Sequence, residues 1–451
     1  MSLNVALNVA VSGLFANQRA ISATSENIAN VNTPDFVRRE TTFVADAIPD
    51  QFSGVTAEVA RASTNSFLAS SFYTSNAENA AASISADALS RVETSLGAPG
   101  DNTSFANRLA EAFASLTSLS AIPTSEAAKA EALFSLEEAF RAFGRTQDAI
   151  AGEQNNATTQ IGQSVSTANS LLNEIFNLNQ IASQSDGARD LISTRVGELS
   201  ALLPISATFD DDGRAEISTT DGILLVNTGE LRALGFDAAL PTALNLVSTS
   251  DDGTAQATIN ADISGSISGG AIGGQLALLN DVLPNLSALV EDVARGIATD
   301  LNAVYASNAS VGETTPLVSP LIVETAGRFS INSLLLDNPA SFAVARPDAG
   351  EVGGAADGTG AAALAALASS TAANDANEAI ALIGASVNDA TRRAETTAAF
   401  SNEISSRLNA EGGVNLDEEL SNLILYQRSY NANARVIAAV DELWESLLAI
   451  I

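Results

Sequence analysis

Large apolar residues recur every seventh position near both ends of this chain. At the front they are Leu7, Leu14, Ile21 and Ile28; at the back, Leu416, Leu423, Tyr430, Ile437, Trp444 and Ile451. A row of that period marks the seam of a helix packed lengthwise on another helix. The front row predicts one amphipathic helix from residue 3 to about 30, stopped by Pro34. The back row predicts a helix over 415–451, roughly 55 Å long at about 1.5 Å per residue. Its start is well specified, with Asn415 as cap and Glu418 as the reciprocal partner three residues on. Asp417, Glu418 and Glu419 place negative charge at the positive end of its dipole. Chain ends usually fray, so apolar rows there need partners: each other, neighbouring molecules, or both. The pattern points to assembly.

Between the ends, helical periodicity dominates. Ile84, Ala88, Leu89, Val92 and Leu96 line one side of a helix over 76–96. From about 104 to 200 the pattern stays helical. Phe105, Leu109, Phe113, Leu116 and Leu119 form a stripe ended by Pro123; Leu133, Leu136, Phe140 and Phe143 form the next, and Ile161, Val165, Leu172 and Ile175 mark a further long helix. Such helices joined by short turns make a bundle. The pattern changes at Pro204. From there to about Ile272, β-branched runs alternate with turn clusters at 210–213, at Asp221-Gly222 and at 251–253, read as hairpin turns. Helix resumes at about 275 with Leu276, Leu279, Leu283 and Leu286. Short strands are expected at 321–323 and 329–331, while the alanine-rich stretch 361–373 reads as either helix or linker. Helical character returns over 375–408, and Gly412-Gly413 punctuates the chain before the last helix.

The expected fold class is therefore mainly α with an inserted β domain, and the domains are discontinuous. Residues 1–45 with 411–451 form a terminal coiled-coil domain, 46–204 with 270–410 a helical bundle, and 205–269 the inserted β domain.

Composition narrows the function. Of the 46% apolar residues much is alanine, and only 5% of the chain is aromatic, which favours elongated packing around thin cores. With 53 acidic against 21 basic residues the net charge is −32, so nucleic acid and anionic membranes are repelled and neither is an expected partner. Cysteine and histidine are absent, which excludes disulfides, thiolate or imidazole metal sites, a Cys nucleophile and a Ser-His-Asp triad. Asp210 and Asp212 fit two positions of a calcium loop, but no proper third follows. No feature selects a carboxylate pair for glycoside chemistry, and no phosphate-binding or dinucleotide fingerprint is present. No catalytic, cofactor-binding or metal residues are assigned. The apolar residues 3–15 are interrupted by Asn4, Asn8 and Ser12, and no basic residue precedes Arg19, so no cleavable signal is read. No apolar run is long enough to span a bilayer. The chain is expected to be soluble and, if it leaves the cell, to do so by another route.

Two motifs carry a resemblance. Asn27-Ile28-Ala29-Asn30-Val31-Asn32-Thr33-Pro34 resembles the N-terminal signature of bacterial flagellar axial proteins, the rod, hook and hook-associated family. Here Asp35-Phe36 stands where that family usually has Gly-Tyr. The stretch Val414-Asn415-Leu416-Asp417-Glu418-Glu419, with Gln427 and Arg435 further on, resembles the hook-associated branch, which joins hook to filament. The resemblance implies a structural adaptor at that junction and not an enzyme. It implies hook protein, the second junction protein, further copies in a ring and an export chaperone as partners. It also implies export through the flagellar type III apparatus, to the outside of the cell. Two alternatives stay open: another axial protein of hook or rod type, and a secreted adhesin or hydrolase with incidental coiled ends.

Overall fold

The computed structural model describes all residues except 1–2, 34–35, 49–50, 62–64, 98–102, 239–242, 250–260, 311–318, 347–353, 355 and 449–451. The expected front helix is α1 (Leu3–Ala29), followed by a long antiparallel hairpin of β1 (Arg39–Ile48) and β2 (Gln51–Arg61). Gly54 shows why that hairpin lies flat on α1. Its φ is +151°, and a Cβ there would stand 2.5 Å from Ser12 Oγ, which instead accepts the Val55 N–H at 3.1 Å.

Four helices come next: α2 (Ser66–Leu96), α3 (Phe105–Ala121), α4 (Glu126–Asn179) and α5 (Asp186–Leu202). Side-chain caps start all four of these helices, from Asn65, Ser104, Ser125 and Ser185. The sequence pattern suggests two helices where α4 is one, of 54 residues. The polar stretch around 152–160 holds no proline and keeps Ala157 buried, so nothing stops it. At about 1.5 Å per residue it runs roughly 80 Å and serves as a spine.

A six-stranded antiparallel sheet follows in simple chain order: β3 (Ile205–Phe209), β4 (Ala215–Thr219), β5 (Leu224–Val226), β6 (Leu231–Phe236), β7 (Leu244–Thr249) and β8 (Ala261–Asp262). Two of the predicted aspartate turns join strands as expected. Asp210 Oδ1 accepts the N–H groups of Asp212 (3.0 Å) and Arg214 (2.9 Å), and Asp221-Gly222 connects β4 to β5. The third, 251–253, lies outside the described residues. Helix returns slightly earlier than expected, as α6 (Gly270–Ala277), then a π-turn over Leu278–Val282, then α7 (Leu283–Tyr305). Pro284 in the first turn of α7 lacks an N–H, and the wider turn before it absorbs the missing hydrogen bond. The chain finishes with the hairpin β9 (Ile322–Thr325) and β10 (Arg328–Ile331), α8 (Ser333–Asp337), α9 (Thr359–Ala365), α10 (Thr371–Gly412) and α11 (Leu416–Leu448).

The body has two apolar cores. One joins the second half of α2, α3, the first half of α4, α7, α9 and α10 around Phe105, Leu116, Phe140, Phe143 and Tyr305. Phe105 and Phe143 stack there at 4.3 Å. The other packs the sheet onto the second half of α4, α5 and α6, so that Ile217, Val226, Leu234 and Leu246 meet Ile161, Leu172, Ile175 and Val196. Asn179 stitches sheet to helix, donating to Ala215 O and accepting from Ala215 N, both at 2.8 Å. The architecture is mainly α with an inserted sheet, and that sheet shares its core with helices.

This sharing predicts a joint loss. Ile175→Ala, at a fully buried position, should cost about 2–5 kcal/mol. Urea denaturation followed by the far-UV signals of sheet and helix should show both falling in one shifted transition.

Candidate assembly surface

α1 and α11 pack on each other and run antiparallel, with Gly13 against Asn433 and Asn27 against Glu419. Their contact is built from small and polar side chains. On α1 the buried residues are Ala10, Gly13, Ala16, Asn17, Ala20, Ala23, Thr24 and Asn27. Gly13 lets Asn433 in so closely that a Cβ would stand 2.9 Å from its side-chain nitrogen. Asn17 turns back on its own helix, donating to Gly13 O at 2.6 Å.

The large apolar row of α1 is therefore not its seam with α11. Leu7, Leu14, Ile21 and Ile28 lie one row over and are half-buried. On α11, Leu423, Tyr430 and Ile437 flank the contact and are half-buried, whereas Leu416 and Trp444 are exposed by 43% and 41%. Ile451 lies outside the described residues. The rest of α11 adds Leu420, Ile424, Leu425, Val436 and Leu443 as exposed apolar side chains, and α1 adds Phe15. The physical reason is spacing: the closest row of α1 went to residues small enough for near approach, which turned its large ones outward.

The motif residues divide in the same way. Asn30 and Thr33 form the expected turn, with Asn30 N–H to Glu26 O at 3.0 Å and Thr33 Oγ1 donating to Asn30 Oδ1 at 3.1 Å. Asn32 is exposed in that turn. Pro34 and Asp35 lie outside the described residues. Phe36 lies under the Arg39 guanidinium at 5.5 Å.

Asn27 has a role that its place in the motif does not reveal. Instead of capping a helix end it is fully buried and ties three segments together. Its amide donates to Arg39 O (2.9 Å) and to Glu419 Oε2 (3.0 Å), and its oxygen accepts the Arg39 N–H (2.8 Å). Glu419, 1% exposed, is held from its other oxygen by Arg38 Nε at 2.7 Å.

The reciprocal cap at the start of α11 is also corrected. Asn415 accepts from the N–H groups of Asp417 (3.0 Å) and Glu418 (3.5 Å), but Glu418 reaches away to Arg38 Nη2 at 2.8 Å. Two nearby carboxylates are a stronger draw for a guanidinium than one exposed N–H is for Glu418. Burial works against the charge on Arg38, yet Glu418 and Glu419 outweigh it and hold its guanidinium above the ordinary value. Burial, and after it the Glu419 carboxylate, push the Tyr426 phenol up. Tyr426 packs against Phe43 of the hairpin at 5.7 Å. Gln427 and Arg435 are exposed.

Among the described residues one ion pair leads from this layer to the body: Arg39 Nη2 to Asp190 Oδ2 of α5, at 2.6 Å and largely buried. Otherwise α1, β1, β2 and α11 pack chiefly on one another. Local sequence could not have paired Arg39 with Asp190 or Asn27 with Glu419, because no periodicity links positions so far apart.

Nothing else among the described residues forms a chemical centre. No three acidic side chains converge there as a metal site, and no helix is long and apolar enough to cross a membrane. An open groove of about 580 Å³ between α1 and β2, lined by Ser12, Phe15, Arg19 and Val55, is a surface feature of the same layer.

The terminal helices fold back on each other and leave large apolar residues facing out. Comparison with known families gives matches at both ends. Residues 7–36 match the family described as flagella basal body rod protein, and residues 411–450 match the flagellar basal body rod FlgEFG protein C-terminal family. The match that covers half the chain, residues 89–315, is to the flagellar hook-associated protein FlgK helical domain, and the chain belongs to this FlgK family of flagellar structural proteins. It is 21% identical to flagellar hook-associated protein 1 of Bacillus subtilis (strain 168), over 98% of this chain and 97% of that one. It is 23% identical to the protein of the same name from Escherichia coli (strain K12), over 98% and 99%. The fold is shared with the flagellar hook junction protein FlgK from Burkholderia pseudomallei, at a TM-score of 0.51 and 21% identity over 57% of this chain and 47% of that one.

Asn27→Leu tests the clamp. It leaves the Glu419 carboxylate and the Arg39 peptide groups buried with a partner missing, which should loosen the terminal layer by roughly 2–4 kcal/mol. Hydrogen exchange should speed up in α1 and α11 while the protection of α4 stays unchanged.

Proposed function

We propose that this chain is the adaptor between the flagellar hook and filament, a short ring of copies on which the filament assembles. The observation that carries this reading is the set of large apolar side chains on α1 and α11 that their own chain leaves partly exposed. Because each is already about half-buried, covering the remainder is worth about half of the roughly 1.5–3 kcal/mol for a fully exposed side chain, a sum over nine residues that works against the entropy of ordering two helices against neighbours. In this reading Leu7, Leu14, Ile21, Ile28, Leu416, Leu423, Tyr430, Ile437 and Trp444 are subunit-packing residues, and the terminal helices act as a coiled-coil inner layer around an axial channel. Residues 1–45 with 411–451, joined by the rest of the hairpin to Arg61, form that layer, the helices of 66–204 with 270–410 a bundle domain outside it, and 205–269 an outward β domain.

The partners are hook protein on one side, the second junction protein on the other, and a flagellar export chaperone before assembly. Export proceeds without a cleaved signal, and no catalysis is involved. The family match along the centre and the rod-type matches at both ends support this placement.

The decisive experiment is deletion of the gene: hooks should form while flagellin is shed unpolymerised. Loss of the hooks themselves would instead assign the chain to an earlier axial segment. The purified protein offers a second check through Trp444, the only tryptophan. Its emission should shift to the blue when isolated hooks are added. Binding with an unchanged spectrum would remove Trp444's face of α11 from the contact.

A further inference from the structure

Acidic side chains avoid the middle of the terminal layer. Of 451 residues 53 are acidic, yet residues 1–25 and 420–440 hold none, and Arg19, Arg428 and Arg435 make both stretches positive. Cations elsewhere typically sit beside carboxylates of the same chain, as Arg91 does with Glu153, Arg195 with Glu174 and Glu198, and Arg407 with Glu403. Arg428 and Arg435 are exposed, and no described acidic residue pairs with either. Within one helical turn on each side of them α11 offers only Ile424, Leu425, Asn431, Ala432, Ala438 and Ala439.

Their direction follows from the seam. Glu419 and Asn433, fourteen residues and hence about four turns apart, mark the side of α11 that touches α1, and Arg428 and Arg435, nine residues beyond the first and two beyond the second, are turned about 180–200° from it. Arg428 and Arg435 therefore point away from α1. Seven residues beyond Arg435 the same row reaches Glu442, with Asp441 and Glu445 beside it and all three exposed. Beside this row lie Leu425, Val436 and Leu443, exposed by 57%, 44% and 53%.

We propose that this face docks a second copy of the chain, and that Arg428 and Arg435 pair with the Asp441-Glu442-Glu445 cluster of that copy. The inference rests on the assembly reading above and adds the contact that sets how neighbours slide along each other. The exposed apolar side chains along one flank of the guanidiniums favour covering the face, and a covered guanidinium needs a carboxylate. Its own stretch of helix has none; the acidic end of another copy supplies three. Copies in register would stack arginine on arginine. A slip of one heptad would still set Arg428 against Arg435, whereas a slip of two, roughly 21 Å, sets Arg428 opposite Glu442 and leaves Arg435 about one turn from Glu445.

The test is run in a strain lacking the gene, complemented with variants. Wild type must restore filaments; if it does not, the functional reading itself falls. Given that, R428E with R435E should be exported yet abolish swimming and shed flagellin, and adding D441R, E442R and E445R to the same chain should restore filaments. Normal filaments from R428E with R435E, or no rescue by the exchanged charges, overturns the inference. If the reversed-charge variants are not exported, cysteines decide the matter, since the natural chain has none. R428C with E442C places thiols too far apart on one helix to join, so an oxidised dimer from isolated junctions supports the proposal. Only monomers from assembled junctions overturn it.

Discussion

Everything in the terminal layer follows from how closely α1 and α11 approach. Glycine, alanine and asparagine fill the seam, so two backbones come near enough for Asn433 to rest on Gly13. A seam of leucines would have held the helices further apart and satisfied them as a pair. The small seam instead leaves the leucines and isoleucines half-buried beside it and the tryptophan on an outer face. A helical hairpin that is complete in itself and one that needs neighbours thus differ in which row receives the bulk.

Polar groups fix the register of that seam. Apolar stripes tolerate sliding, whereas a buried Asn27 bonded to both Arg39 and Glu419 fits one alignment only. Because the Arg39 backbone answers to Asn27 and its side chain to Asp190, the same residue also orients the layer on the body. Few other contacts connect the two. The geometry of the hook-associated subunit at this joint depends on a short polar chain running Glu419, Asn27, Arg39, Asp190.

Much of the fold could be read from the sequence because periodicity is local. The front helix, the helical bundle, the change at Pro204 and the return of helix after the glycines all lie close to where their residues indicate. The continuity of α4 was hidden because a polar run looks like a loop when its burial is unknown. On the terminal helices, the heptad rows left open whether each helix packs on the other or on a neighbouring molecule, and in the structure the row of Leu7, Leu14, Ile21 and Ile28 lies beside the α1–α11 contact, not in it. The clamp was illegible for a different reason. Its members, Asn27 and Glu419, are 392 residues apart, and each alone looks like an ordinary helix-end residue.

The body answers a mechanical need that the terminal layer creates. A helix of 54 residues, polar at its middle, would bend or fray alone. Here its first half is fixed by α3, α7 and α10 and its second by α5, α6 and the sheet. Arg91 of α2 grips Glu153 with two 2.8 Å bonds in the stretch between the cores. The sheet is thereby mounted on the far part of a rigid spine, and Asp190, the residue that meets Arg39, sits on a helix packed against that same part. The Arg39–Asp190 contact therefore ends on a helix that shares one core with the second half of the spine and with the sheet.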